Sequence, residues 1–203
     1  MSRHSLYLAE FDELERTESY IWNDYVHGFI SKEEVADQFE DLFVHAYKRG
    51  YSMGQNDLEL DEADIAYFDS MLSNNAQKIF DSVYRKIDGK DFKERIYEHL
   101  NADDGEATLK KLFSTEVHRN MGAGRYQLGK DYEFVKKKNV TKTWRTMLDE
   151  KVRDTHDYME GMEVGIDDDF YTYNGDHAPY PGFFGVAEED INCRCIAELH
   201  TKE

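Results

Sequence analysis

Residues 188–199 read EEDINCRCIAEL and hold both cysteines of the 203-residue chain, Cys193 and Cys195, with Arg194 between them. The pattern predicts a closing strand over about 190–199. In a strand, residues i and i+2 share a face, so the two thiols point together and Arg194 points away. Their Cα atoms would lie about 6.6 Å apart at the usual rise. That is near the upper limit for a disulfide, and a bond between them would be strained. Two readings stay open. Both thiols are small buried hydrophobes, or they are two ligands of a metal site.

Working outward, Val140 to Thr146 alternates β-branched and aromatic residues and predicts a strand. Asp149 can cap a helix over about 150–160, ended by Gly161. On that helix Val152, His156 and Met159 fall on one stripe, which should face the sheet. His156 is therefore the best candidate for a third ligand, and His177 in the loop for a fourth. Zinc favours such sulfur and nitrogen ligands. A C-x-C pair with distant histidines is an unspecific pattern, so a histidine satisfied within the core is the competing reading. Met162 to Glu189 reads as loop, with Gly165, Gly175, Pro179, Pro181, Gly182 and Gly185.

Neighbouring charges have simple expectations. Arg153 lies four residues from Asp149 and from Asp157, a helix-surface ion pair worth roughly a few tenths of a kcal/mol. Arg194 could clamp a carboxylate with two hydrogen bonds. Asp167-Asp168-Asp169 lacks the spacing of a calcium loop and reads as a solvated turn. Glu116 and His118 share a long helix, with nothing nearby in sequence to make them a catalytic pair. The chain has no Gly-rich phosphate loop, no G-x-S-x-G and no H-E-x-x-H.

Upstream the chain reads as successive helices. The first covers about 5–27. Ser31 and Glu34 form a capping-box signature, followed by Val35, Phe39, Leu42, Phe43, Ala46 and Gly50 at helical spacing. A second pattern runs from about Asp61 to Ile87, with Ile65, Phe68, Leu72, Ala76, Ile79, Phe80, Val83 and Ile87 on its apolar face, ended by Asp88-Gly89-Lys90. A short helix over about 91–100, a turn at 101–105 and a helix over about 106–132 complete the set. The expected fold is α+β: a helical region, 1–133, then a small module, 134–203, with a short antiparallel sheet and one helix.

Composition narrows the partners. With 40% hydrophobic and 33% charged residues, 14 Tyr and 12 Phe, there is material for a core. A formal net charge of −18 repels nucleic acid, whose binding draws on neutralised phosphates. The strip Lys136-Lys137-Lys138 leaves only a weak DNA contact open. An acidic surface suits docking on a basic protein partner. No apolar run would span a bilayer and the N-terminus lacks a signal-peptide pattern, so use in a cytoplasm and no membrane partner are expected.

Thr115-Glu116, Arg119-Asn120, Gly124-Arg125, Lys142-Thr143-Trp144, Asp149, Arg153, His156, Gly161, Phe170, Tyr180-Pro181-Gly182 and Ile191-Asn192-Cys193-Arg194-Cys195 together resemble the Mu F-like family of phage minor head proteins. The resemblance covers about residues 110–199 and implies that the closing strand pairs beside the Trp144 strand and packs on the His156 helix. It implies a virion protein that acts in head morphogenesis, assembled in the host cytoplasm, with the portal protein and capsid or scaffold subunits as partners and a link to DNA packaging or ejection. It implies no catalytic activity. In some relatives the module is fused to toxin or enzyme domains; with the sequence ending at Glu203, none is expected after the motif. The expectation is a non-enzyme, with His156, Cys193 and Cys195 as a cluster that is either structural or zinc-bound. The alternative is a metal-dependent hydrolase or nuclease built on those three residues.

Overall fold

A computed structural model describes residues 3–100, 102 and 105–202. The helical part comprises α1 (Arg3–Val26), α2 (Lys32–Asp57), α3 (Glu62–Asn74), α4 (Ala76–Val83), α5 (Phe92–His99) and α6 (Gly105–Lys136). Residues 1 and 2 of the expected helical region lie outside the described residues, as do 101, 103 and 104 of the expected turn. Around them, Ala102 N–H donates to the His99 carbonyl and Gly105 N–H to that of Ala102.

The capping box at Ser31 is present. The Glu34 N–H donates to Ser31 Oγ at 3.2 Å, and Ser31 N–H donates back to the Glu34 carboxylate at 2.7 Å. Such reciprocal bonds satisfy two donors that a helix start leaves open. Asp91 and Glu94 repeat the device at α5.

Helices α2 and α6 cross backbone to backbone. A Cβ on Gly124 would fall 1.9 Å from the Tyr47 carbonyl oxygen, and one on Gly50 would fall 1.9 Å from that of Met121. Only glycine allows that approach. Beside the crossing, Phe39, Phe43, Phe92 and Phe113 pack ring on ring, with centroids 5.0 Å apart for Phe39 and Phe113 and 5.3 Å for Phe43 and Phe92.

The expected helix over 61–87 is in fact two. Asn75 leaves helical geometry, with φ −125° and ψ 53°. The apolar pattern runs through the break because Phe68, Leu72, Ile79 and Val83 all face the core. Phe80 does not, and stays 52% exposed. Helix α4 stops at Val83. Asp88 and Gly89, at φ 51° and 79°, form a two-residue turn in which Ile87 and Lys90 exchange both backbone hydrogen bonds. Positive φ at both central residues is what such a tight hairpin turn needs.

After α6 come β1 (Val140–Arg145), α7 (Asp154–Asp157), β2 (Glu163–Gly165), β3 (Phe170–Tyr171), β4 (His177–Ala178), α8 (Ala187–Asp190) and β5 (Ile196–Thr201). The main sheet has the order β2-β1-β5, all antiparallel, with Trp144 opposite Ala197. Strands β3 and β4 form a separate ribbon. The fold is α+β, helices first and a small antiparallel sheet at the C-terminal end, with the closing strand beside the Trp144 strand as expected.

Three details depart from expectation. The closing strand begins at Ile196, so Cys193 and Cys195 precede it. The helix over 150–160 shrinks to one turn: Asp149 accepts the Lys151 N–H as a cap would, but it caps only a turn, with its carboxylate clamped by Arg194, and the helix starts after Arg153. Strands β2, β3 and β4 and a second one-turn helix, α8, also stand in what reads as loop. The sheet packs on α2 and α6 through Leu199. A Cβ on Gly54 would come within 2.7 Å of Leu128 Cδ2 and 3.2 Å of Leu199 Cδ1.

Candidate functional site

Trp144 is the centre of the C-terminal packing and is 0% exposed. Its indole lies edge-on to His156, Phe170 and Phe184, with centroids 5.2, 5.1 and 5.9 Å away. Edge-to-face contact suits the quadrupoles of such rings. Backbone bonds fix the strand around it: Trp144 N–H donates to the Met162 carbonyl, and Gly161 N–H donates to the Trp144 carbonyl. Gly161 takes φ 75°, where a side chain would be strained. This closes the 146–161 loop and brings α7 over the sheet, placing His156 against Trp144.

The cysteines arrive from the other side. Helix α8 ends at Asp190, whose carboxylate accepts the N–H groups of Phe184 and Gly185. Asn192 then turns the chain with φ 57°, a conformation that asparagine tolerates better than most residues. The following Cys-Arg-Cys segment has no regular secondary structure. Both thiols turn inward, and Arg194 turns out to hold both Asp149 oxygens at 2.7 and 2.8 Å. The alternation expected of a strand holds, although the segment is not in the ladder. Arg153 pairs with neither Asp149 nor Asp157; its guanidinium donates to the Ile191 carbonyl. That corrects the expected helix-surface pair, and it ties α7 to the cysteine turn.

His156, Cys193 and Cys195 thus form one buried group whose ligand atoms lie within 4.8 Å of one another. His156 Nδ1 is 3.7 Å from Cys193 Sγ and 3.4 Å from Cys195 Sγ. Its Nε2 is 2.9 Å from Glu189 Oε2 but off the line of a hydrogen bond, and the same carboxylate oxygen accepts the Thr155 hydroxyl at 2.8 Å. Burial pushes the Cys193 thiol up, but hydrogen bonds from Cys195, His118 and His156 outweigh it and hold the thiol well below its ordinary range. The hydrogen bond to Cys193, followed by burial, pushes the Cys195 thiol the other way.

Helix α6 contributes a second polar layer. Burial raises the Glu116 carboxyl, but Arg119 and Arg95 outweigh it and bring it below the usual range. Arg95 Nη2 lies 2.7 Å away and Arg119 Nε 2.8 Å. Arg119 also donates to the Ser82 carbonyl, and the Ser82 hydroxyl to Asn120. Glu116 is thus a buried structural anchor for Arg95 and Arg119. His118 is buried, bonded through Nδ1 to the Tyr7 hydroxyl. Gly182 seats on it: it takes φ 83°, and a Cβ there would fall 2.9 Å from His118 Cδ2. His118 and Cys193 both line a cavity of about 730 Å³ with Tyr7, Phe11, Arg153 and Arg194.

His177 stays apart from the cluster. It sits exposed on the β3–β4 ribbon, paired with Asp169 at 2.7 Å. The Lys136 ammonium bonds Asp64, and Lys137 lies over the Phe134 ring. Glu189, Thr155, Phe184, Tyr7 and His118 are the participants that sequence reading misses. The acidic run Glu188-Glu189-Asp190 looks like a solvated face. A lone histidine on a 32-residue helix carries no local signal.

The family described as Phage Mu protein F like protein matches residues 76–198, beginning well before the expected start near residue 110. The minor head protein GP7 of Bacillus phage SPP1 is 30% identical over 102 residues, covering 50% of this chain and 32% of that protein. The NAD(+)–arginine ADP-ribosyltransferase EFV of Enterococcus faecalis is 34% identical over 134 residues, 64% of this chain and 26% of that protein. The aligned region is thus about a quarter to a third of these relatives' own lengths. No solved structure gives a significant match.

Proposed function

The chain belongs to the Phage Mu protein F like family, and from that premise we propose that it acts as a minor head protein in bacteriophage head morphogenesis. It docks on other head proteins, the portal and capsid or scaffold subunits, and is carried in the virion. The observation that carries this reading is the family match across residues 76–198 together with a relative named as a minor head protein.

The geometry is consistent with a protein that holds other proteins. The family motif residues spend their chemistry on internal ties: Glu116 with Arg119, Asp149 with Arg194, Arg153 with Ile191. A chain with net charge −18 and Lys136 bound to Asp64 is poorly suited to gripping phosphates. Any part in DNA packaging or ejection then runs through docking on head proteins. No helix among the described residues is long and apolar enough to cross a membrane. The transferase activity in one relative's name is not carried over, and nothing in the comparisons favours the hydrolase or nuclease alternative.

The test is co-purification. Affinity-tagged chain, expressed in cells producing its phage's head proteins, is expected to come down with portal protein and to sediment with procapsids. Recovery of the tagged chain free of portal, procapsid and virion fractions would overturn the reading.

A further inference from the structure

We propose that His156, Cys193 and Cys195 bind one divalent ion of the zinc class, through His156 Nδ1 and the two sulfurs. The inference does not depend on the head-protein reading; it stands on the geometry of the cluster.

The donor set comes first. Two thiolates and one imidazole are soft to borderline ligands, the combination zinc sites use, whereas magnesium and calcium take oxygen. The spacing comes second. A tetrahedral ion with sulfur at about 2.3 Å and nitrogen at about 2.0 Å sets neighbouring sulfur and nitrogen roughly 3.5 Å apart. The observed separations of 3.4 and 3.7 Å bracket that value. The third point is the orientation of the imidazole. Nδ1 faces the sulfurs, and Nε2 stands 2.9 Å from the Glu189 carboxylate, off the line of a hydrogen bond as the ring sits; an ion on Nδ1 would leave the proton on Nε2, where that carboxylate, tied to Thr155, is the acceptor within reach. Ligating histidines characteristically present their second nitrogen to a carboxylate, which fixes the ring and strengthens it as a ligand. Two thiols acting as small hydrophobes would need neither that carboxylate nor a ring nitrogen turned toward them.

The ion also has a task in this fold. The three-stranded sheet is small, and the cysteine segment lies outside its ladder. An ion there fastens the chain before β5 to α7 and so to the Trp144 layer. Small modules with thin cores commonly need such a fastening. The group has three protein members among the described residues, so water completes the coordination. Cys193 lines the cavity shared with His118, which gives solvent a route to it.

The experiment is metal analysis of the full chain, purified under reducing conditions, exposed to zinc sulfate and passed over a desalting column. About one zinc per chain is expected. Replacement by cobalt(II) should give the near-ultraviolet thiolate-to-metal band and the visible absorption of four-coordinate cobalt. Cys195→Ser should abolish the thiolate band or cut it to that of one sulfur. Because that variant could misfold, Glu189→Gln is the second: it keeps all three ligands and should weaken zinc binding about 10- to 100-fold in chelator competition. His177→Ala should leave affinity unchanged. Folded wild-type chain that retains no zinc, or a cobalt complex without a thiolate band, would overturn the proposal. So would an unaltered zinc affinity in folded Cys195→Ser. These readouts need no phage protein, so a failure here and a failure to co-purify with portal are separate results.

Discussion

Asp57 and Leu199 stand 142 positions apart in the chain and meet in one hydrogen bond, Leu199 N–H to Asp57 Oδ2 at 3.1 Å. The same carboxylate holds Arg125, whose Nη2 lies 2.6 Å from Oδ1. One side chain on α2 thus fixes α6 and β5 at once, and couples the helices to the sheet that carries the cysteine cluster. Gly124-Arg125 is among the residues by which the sequence resembles the family, and its two residues serve one junction: the glycine lets α2 approach and the arginine locks it.

That junction should be sensitive to loss of its charge. The two side chains are 1% and 6% exposed, so removing the carboxylate strands a buried guanidinium. Breaking such a pair costs about 3–5 kcal/mol. Asp57→Ala is expected to lose that much in urea unfolding. A loss below about 1 kcal/mol would show that water reaches Arg125 when the carboxylate is gone.

Gly124→Ala tests the crossing itself. A methyl group there meets the Tyr47 carbonyl and the Tyr51 nitrogen, both rigid backbone. Overpacking a core usually costs about 1–3 kcal/mol, and a clash against backbone belongs at or above the top of that range. The expected outcome is a drop of about 3 kcal/mol or more, or recovery only in the insoluble fraction. Gly122→Ala, where the nearest atom belongs to the Tyr180 ring, should be milder in the same assay.

Trp144 offers an optical check of the layer around His156. The chain has two tryptophans, and Trp22 is only half-buried. In a Trp22→Phe background, Trp144 fluorescence should be blue-shifted in the folded state and move red on unfolding. Trp144→Ala should cost about 3–5 kcal/mol and disturb His156, Phe170 and Phe184 together. A Trp144 emission already at the solvent position in folded protein would contradict the burial on which the cluster depends.

What the sequence tells and withholds follows from how far each signal reaches. The Ser31 cap, the α2 face and the β1 alternation are local patterns, and local rules read them. The cluster of His156, Cys193 and Cys195 is readable because cysteine is rare here and the C-x-C spacing orients both sulfurs alike. The break at Asn75 is hidden because α3 and α4 turn the same face to the core. The helix expected over 150–160 fails for a tertiary reason: Asp149 is taken by Arg194 and Arg153 by Ile191, partners about forty residues away. Glu189 and His118 carry no pattern of their own, and only the fold brings Glu189 to His156 and His118 to Cys193.

Lys142 gives a pH prediction with a definite sign. Its side chain is buried beneath the Tyr126 and Phe170 rings, with the ammonium donating to the Ile166 carbonyl at 2.9 Å. Burial lowers its pKa from 10.5 to about 8, only partly opposed by Asp169 and Asp168. In the unfolded chain the ordinary value returns, so between pH 8 and 10.5 the unfolded state binds more protons, and stability rises with pH there. The penalty for the buried charge is fully present below pH 8 and relieved by about pH 10.5. A shift of that size corresponds to roughly 3 kcal/mol. Comparing wild type with Lys142→Met isolates this contribution from other groups that titrate in the same range. The variant should be the more stable at pH 7, with the difference shrinking as pH rises from 8 to 10. A gap between the two unfolding curves that stays constant across that range would show that the ammonium keeps its ordinary affinity for the proton in the folded protein.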